Sequence, residues 1–277
     1  MTTQNETIQI GIDIGTKYCR AAYIDTNDNK SQIRRFKDEK NEDVFPSLVN
    51  VLQTKILVGS SAKEKSSEKN LISNIKRFIG KYNDSNDEQL NELIKSQQVT
   101  ICEIEPFNEN NNLNDSQDDN NNENETNEFN DNKPIGFEIV FKQTREHQDE
   151  RMVLSPEQLI TFLLFKIKDT VEKELKCSDK QIECVVGVPV TFGNEERKQM
   201  ERAIQMSGMK IIQLINEPTA IAYTLNDVEG NVLVVDFGAG FVNVSLFQIK
   251  GKQVTVGKTY GDNYIGGNDI DTIILKI

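Results

Sequence analysis

Two stretches of the chain carry matching runs of apolar positions. In residues 8–16, IQIGIDIGT, Ile8, Ile10, Ile12 and Ile14 occupy every second position, which predicts a strand with one buried face. In residues 232–240, VLVVDFGAG, Val232, Leu233, Val234 and Val235 are continuous, which predicts a strand buried on both faces. Each run ends in an aspartate, Asp13 or Asp236, followed by a glycine-bearing turn. A second strand follows each turn, YCRAAYID from Tyr18 and FVNVSLFQI from Phe241. A third follows a polar turn in each case, SQIRRF and QVTVGKTY. One strand–turn–strand–turn–strand plan is therefore used twice, with its aspartates 223 residues apart.

The chain between these units alternates strand and helix signals. Phe45-Pro46-Ser47 marks an extended break, followed by strands VNVLQ and KILVG and a polar helical stretch from Ser60. In NLISNIKRFIGK, Leu71, Ile72, Ile75, Phe78 and Ile79 recur at helical spacing, which predicts a helix with Lys76 and Arg77 on or near its opposite face. Residues 83–98 predict another helix. Ser155, Pro156 and Gln158 form an N-cap, a first-turn proline and a capping box for a helix running to about Lys176. A buried strand from Ile182, a helix capped by Asn194, the strand KIIQLI and a helix after Asn216-Glu217-Pro218-Thr219 complete the series. Alternation of this kind over 155–236 predicts α/β layers with a partly parallel sheet.

Composition narrows the class. A length of 277 suggests about two domains. No run approaches the ~20 apolar residues that span a bilayer, and MTTQNETIQIG shows no secretory signal. Cys19, Cys102, Cys177 and Cys184 form no C-x-x-C pair, which predicts free thiols in a reducing compartment. His147, the only histidine, lies among charges in TREHQDE and predicts a solvated loop residue. Of the net charge of −12, eight acids fall in residues 108–132, which hold no Lys or Arg and leave −4 elsewhere. That segment has only Leu113 and Phe129 as apolar residues, so its composition predicts disorder; it interrupts a β-like pair, VTICEIE and IGFEIVF. The acidic balance argues against a nucleic-acid surface.

Chemically, a glycine-rich hairpin turn offers backbone N–H groups to an anion, usually phosphate. An aspartate at the strand end can hold Mg²⁺ through water. One such turn is ordinarily just a tight hairpin; two in matched strand context predict a grip on a nucleotide's phosphates from both sides.

The residues also resemble a known family. From Ile8 onward, apart from the acidic segment, the chain is similar to the N-terminal part of the ATPase domain of heat shock protein 70 chaperones. The likeness rests on GIDIGT (11–16), IKRFIG (75–80), VPVTF (188–192), INEPTA (215–220), VVDFGAG (234–240) and IGGNDID (265–271), in that order. It implies the actin-like ATPase (ribonuclease H-like) α/β fold, with duplicated β-hairpin and βαβ units. Residues 1–229 would form lobe I, with a peripheral subdomain at 44–153, and 230–277 the start of a truncated lobe II. The cofactors implied are ATP or ADP and Mg²⁺. Asp13 and Asp236 would bind the metal through water. Gly15, Thr16, Gly238 and Gly240 would lie against the phosphates, with Lys17, Tyr18, Ala239, Phe241, Gly266 and Gly267 beside them. Lys76 would act on the γ-phosphate, Glu217 would orient water, and Asp236 would share in catalysis. Without the resemblance, Lys76 would read as a surface helix lysine and Glu217 as a first-turn helix acid.

Several positions depart from the family pattern. Lys17 stands for a small hydroxyl residue, Ala239 for a glycine, Phe241 for a threonine and Asn243 for an aspartate. The helix after NEP is also two residues short, which rotates its face by roughly 200°. The resemblance implies a cytoplasmic or nuclear protein acting on unfolded or nascent polypeptides through a C-terminal domain beyond Ile277, with a J-domain co-chaperone and a nucleotide-exchange factor as partners and neither nucleic acid nor membrane. Three functions remain open: an ATP-hydrolysing chaperone lobe, a non-hydrolysing regulatory or ribosome-associated co-chaperone, and an actin-like or sugar-kinase-like protein. INEPTA and KRFIG count against the last.

Overall fold

The computed structural model describes residues 7–26, 31–65, 69–84, 86–106, 133–141, 149–225 and 227–276. The acidic segment 108–132 and His147 lie outside these residues. In β1 (Ile8–Ile14) the alternation places Ile10, Ile12 and Ile14 in the core and leaves Gln9 and Gly11 on the open face. It pairs antiparallel with β2 (Tyr18–Asp25), which continues to β3 (Gln32–Arg35) and also pairs with β4 (Phe45–Pro46).

Two smaller sheets follow, sharing the core of the main sheet. β5 (Val49–Leu52), β6 (Lys55–Val58), α1 (Ser60–Glu64) and β7 (Leu71–Ile72) supply a small antiparallel sheet, in the order β6-β5-β7, and one short helix. The expected helix over 71–79 is not formed. Leu71 and Ile72 are strand, Asn74 takes a left-handed conformation (φ 55°), and Ile75–Phe78 is a single 3₁₀ turn. Lys76 and Arg77 are buried, at 3% and 5% exposure, rather than on a solvated face. α2 (Glu88–Lys95) is shorter than expected, because the Asp87 carboxylate caps it by accepting from Leu90 N at 2.8 Å. β8 (Thr100–Glu103), β9 (Ile135–Phe141) and β10 (Glu150–Leu154) form an antiparallel sheet, and β8–β9 is the pair expected on either side of the acidic segment.

Two crossovers then build the parallel part of the main sheet. α3 (Pro156–Leu175) begins at Ser155 with both capping-box bonds present and buries Leu159, Leu163, Leu164 and Ile167. β11 (Ile182–Val188) runs parallel to β1, and β12 (Lys210–Asn216) parallel to β11, as helical crossovers require. Between them α4 (Asn194–Met206) is capped by Gly193, whose N–H donates to Glu196 Oε2 at 3.0 Å; Asn194 is its first residue rather than its cap. The sheet order is β12-β11-β1-β2-β3. One of its faces shares a core with α3 and α4, and the other stays open as a cleft wall.

α5 (Glu217–Ala222) leads to the second hairpin unit, β13 (Gly230–Phe237), β14 (Val242–Lys250) and β15 (Gln253–Asp262), and then to α6 (Gly267–Leu275). Val234, Phe247 and Ile249 pack with Ala222 of α5 in a second, smaller core. Leu233, Val235 and Phe237 point the other way and are 62%, 59% and 52% exposed. The expectation of burial on both faces is therefore corrected: α5 covers one side of β13, and among the described residues no layer covers the other. Among the described residues, no helix is long and apolar enough to cross a membrane.

Candidate functional site: a cleft between two hairpin turns

The two turns close in the same way. Gly15 N–H donates to Tyr18 O at 3.0 Å, and Gly238 N–H donates to Phe241 O at 2.9 Å. Beneath them Asp13 pairs in register with Arg20, and Asp236 with Asn243. Close backbone approach explains the glycines. A Cβ on Gly15 would lie 2.4 Å from Tyr18 O, and one on Gly240 would lie 2.7 Å from Thr16 Oγ1 and 2.8 Å from Arg77 Cδ. The second of these contacts brings the turns, more than two hundred residues apart in sequence, against each other.

They border a cleft of about 1090 Å³. Its walls carry three carboxylates, Asp13, Glu217 and Asp236, and the turn residues Gly15, Thr16, Lys17, Tyr18, Gly238, Ala239, Gly240 and Phe241, together with Lys76. Gly266 and Gly267 are not part of the lining. Gly267 N–H donates to Gly238 O at 3.0 Å and Asn268 N–H to Ala239 O at 2.9 Å, so the start of α6 braces the second turn from behind.

The 3₁₀ turn points Lys76 inward, where its Nζ donates to Glu217 Oε1. The ammonium also sits 5.5 Å from the centre of the Phe241 ring, which meets Phe192 edge-on at 6.1 Å. Burial pushes the Glu217 carboxyl above its ordinary range, Lys76 opposes that shift, and the charges of Asp13 and Asp236 add to it. Asn243 joins the acidic side chains. Its Nδ2 donates to Glu217 Oε2 at 3.2 Å and Asp236 Oδ2 at 3.1 Å, while its Oδ1 accepts from Val190 N at 3.1 Å. An amide serves here because one end must donate and the other accept. A carboxylate could not donate to two others. Next to Lys76, Arg77 Nη1 pairs with Asp269 Oδ1 at 2.9 Å and ties α6 to the first half of the chain.

These groups fit a hydrated divalent cation together with phosphate. The tight glycine turns form a cradle that side chains would fill. Among the described residues, no group of three or more His, Cys, Asp or Glu side chains converges closely enough to ligate a bare metal ion. Spread carboxylates of this kind suit an ion that keeps its waters. Sequence reasoning passed over Arg20 and the bridging role of Asn243. A signal was available, since each lies seven positions after the aspartate of its hairpin.

A protein-family model described as "Hsp70 protein" matches residues 9–117 and 124–277. The chain is 30% identical over 276 residues to the ribosome-associated molecular chaperone SSB of Candida glabrata, covering 96% of this chain and 38% of that protein. Similarity to a ribosome-associated molecular chaperone of the SSB type from Saccharomyces cerevisiae is 29% over the same length and coverage. To the heat shock cognate HSP70 protein of Trypanosoma brucei brucei it is 38% identical over 138 residues, covering 47% of this chain and 20% of that protein. The chain thus spans 38% of the length of the two ribosome-associated relatives.

Proposed function

The chain belongs to the Hsp70 family, and on that premise we propose that its cleft binds ATP with Mg²⁺ as the nucleotide-binding part of a chaperone. The family's ATPase domain has an actin-like fold, with which the mixed α/β layers and doubled hairpin sheets agree. The observation that carries the proposal is the matched pair of turns, each closed by a glycine N–H bond above an aspartate and each lining one cleft.

In this proposal the backbone N–H groups of Thr16, Ala239 and Gly240 hold phosphate oxygens, while Gly15 and Gly238, whose own N–H groups close the turns, let the ligand approach the backbone, with Lys17, Tyr18 and Phe241 at the edges. Asp13 and Asp236 hold the hydrated Mg²⁺, which when bound withdraws charge from the phosphates. Lys76 adds a fixed positive charge, and Glu217 keeps that ammonium in place and orients water. Phosphoryl transfer depends mainly on positioning and charge stabilisation, which these groups supply. Gly266 and Gly267 act through the second turn that they brace. Residues 1–229 are lobe I in this proposal and 230–277 the start of lobe II, with α5 contributing Ala222 to the core of the second hairpin unit.

A second proposal is binding without hydrolysis. It is favoured by the Phe241 ring, which stands beside Lys76 where the family has a hydroxyl. The relatives named as ribosome-associated support nascent or unfolded polypeptides as clients and the cytoplasm as the place of action. A J-domain co-chaperone and a nucleotide-exchange factor are the further partners we propose.

Calorimetric titration of the chain with Mg·ATP, followed by competition with ADP, tests the nucleotide proposal. Saturable one-to-one binding displaced by ADP is expected. Absence of binding at millimolar nucleotide would overturn it.

A further inference from the structure

We propose that Arg20 is a phosphate-binding cation that carries part of the charge neutralisation otherwise supplied by Mg²⁺, so that this cleft retains nucleoside triphosphate without the divalent ion. The inference rests on the nucleotide proposal above and concerns the same site.

The two hairpins make the comparison internally. Asp13 faces Arg20 and Asp236 faces Asn243 at equivalent register positions. Each partner donates to its aspartate's Oδ2, Arg20 Nη1 at 3.3 Å and Asn243 Nδ2 at 3.1 Å. Their surroundings differ. Asn243 is 1% exposed and bonded at both ends of its amide, which leaves it nothing to offer a ligand. The Arg20 side chain is 52% exposed, and the residue lines the cleft.

An ion pair this exposed contributes little to stability. The guanidinium can therefore leave Asp13 for a ligand at small cost. Phosphate is the ligand its geometry suits, since the planar fork matches two phosphate oxygens. While it rests on Asp13, it also occupies one of the two carboxylates proposed for the hydrated metal.

The charge of the lining agrees. Lys17, Arg20, Arg35 and Lys76 line the cleft with Asp13, Glu217 and Asp236, four cationic residues against three acidic ones, or against four once Asp43, which pairs with Arg35 at 3.4 Å, is counted. A polyphosphate entering this cleft does not meet a net negative wall, and Mg²⁺ is not required to reverse its sign.

The test is calorimetric titration of the full 277-residue chain with ATP, once in excess Mg²⁺ and once in EDTA. It is repeated for Arg20→Ser and Arg20→Lys. In the unaltered chain the dissociation constant in EDTA should exceed that in Mg²⁺ by about tenfold. Arg20→Ser should widen that ratio by about tenfold or more, the usual weight of a charge-assisted hydrogen bond. Arg20→Lys keeps the charge without the fork and should restore part of the loss. Binding in Mg²⁺ alone, or an unchanged ratio in Arg20→Ser, would overturn the role of Arg20 and leave the nucleotide proposal standing. No binding under either condition would overturn both.

Discussion

Lys76 Nζ donates to Glu217 Oε1 across 141 residues of sequence. It links the 3₁₀ turn at Ile75–Phe78 to the first residue of α5, and the lysine is buried at 3% exposure. A buried lysine needs a partner, because an isolated ammonium out of water is heavily penalised. The Glu217 carboxylate supplies one and holds the cation at the cleft wall.

Substitution of Lys76 should therefore separate binding from chemistry. Lys76→Ala should lower the single-turnover rate of ATP hydrolysis by about 10²-fold or more while ATP still binds. It should also lower stability by about 1–3 kcal/mol, because the half-buried Glu217 carboxylate loses its cation and keeps only the bond from Asn243. Rapid-quench turnover and urea melts give the two quantities. An unchanged rate would show that Lys76 is structural only.

The Phe241 ring fills the space between Lys76 and Phe192. Phe241→Thr gives the second turn a hydroxyl and removes bulk, so it should tighten ATP binding or speed hydrolysis. It should also cost about 3 kcal/mol of stability through the cavity left behind. A variant that binds more weakly and turns over more slowly than the unaltered chain would show that the ring contributes to the site.

Glu39 gives a pH signature away from the cleft. Partial burial pushes its carboxyl up, but a 2.9 Å ion pair with Lys166 and bonds from Ser61 outweigh this and hold it down at about 2. The unfolded chain takes up this proton near pH 4.5, before the folded chain does. The stabilisation is therefore complete above that pH and is lost as pH falls towards about 2. With a third of the side chain exposed, screening reduces its value to about 1 kcal/mol. Glu39→Gln should be less stable by that amount at pH 7 and indistinguishable from the unaltered chain near pH 2 in urea melts.

Much of the fold was legible where the pattern is local. The alternating isoleucines of β1 and the capping box at Ser155 and Gln158 depend only on near neighbours, and the structure has both. The 3₁₀ turn was misread because Leu71, Ile72, Ile75, Phe78 and Ile79 are all buried, and a short strand followed by one tight turn buries the same set as a helix. The burial of Lys76 and Arg77 depends on Glu217 and Asp269, 141 and 192 residues away, which no periodicity reveals. In β13 an apolar run marks what a strand can bury; whether both faces are covered depends on other layers, and Leu233 and Val235 remain exposed. Within the site, the turn residues and carboxylates were legible as motifs. The spacing of Arg20 and Asn243, each seven positions after its aspartate, is visible in the sequence but gains meaning only once each hairpin is paired in register.

The most direct measurement of whether the two hairpins serve one nucleotide is Mg·ATP titration of Asp13→Asn and Asp236→Asn, each compared with the unaltered chain. Each substitution removes a negative charge facing the proposed cation from a different hairpin. Asp236→Asn should raise the dissociation constant by about tenfold. Asp13→Asn should raise it by about threefold, because losing the carboxylate also frees Arg20, now paired with it, for the phosphates. Weakening in both variants is the predicted result; unaltered affinity in both would contradict a single site built from the two turns.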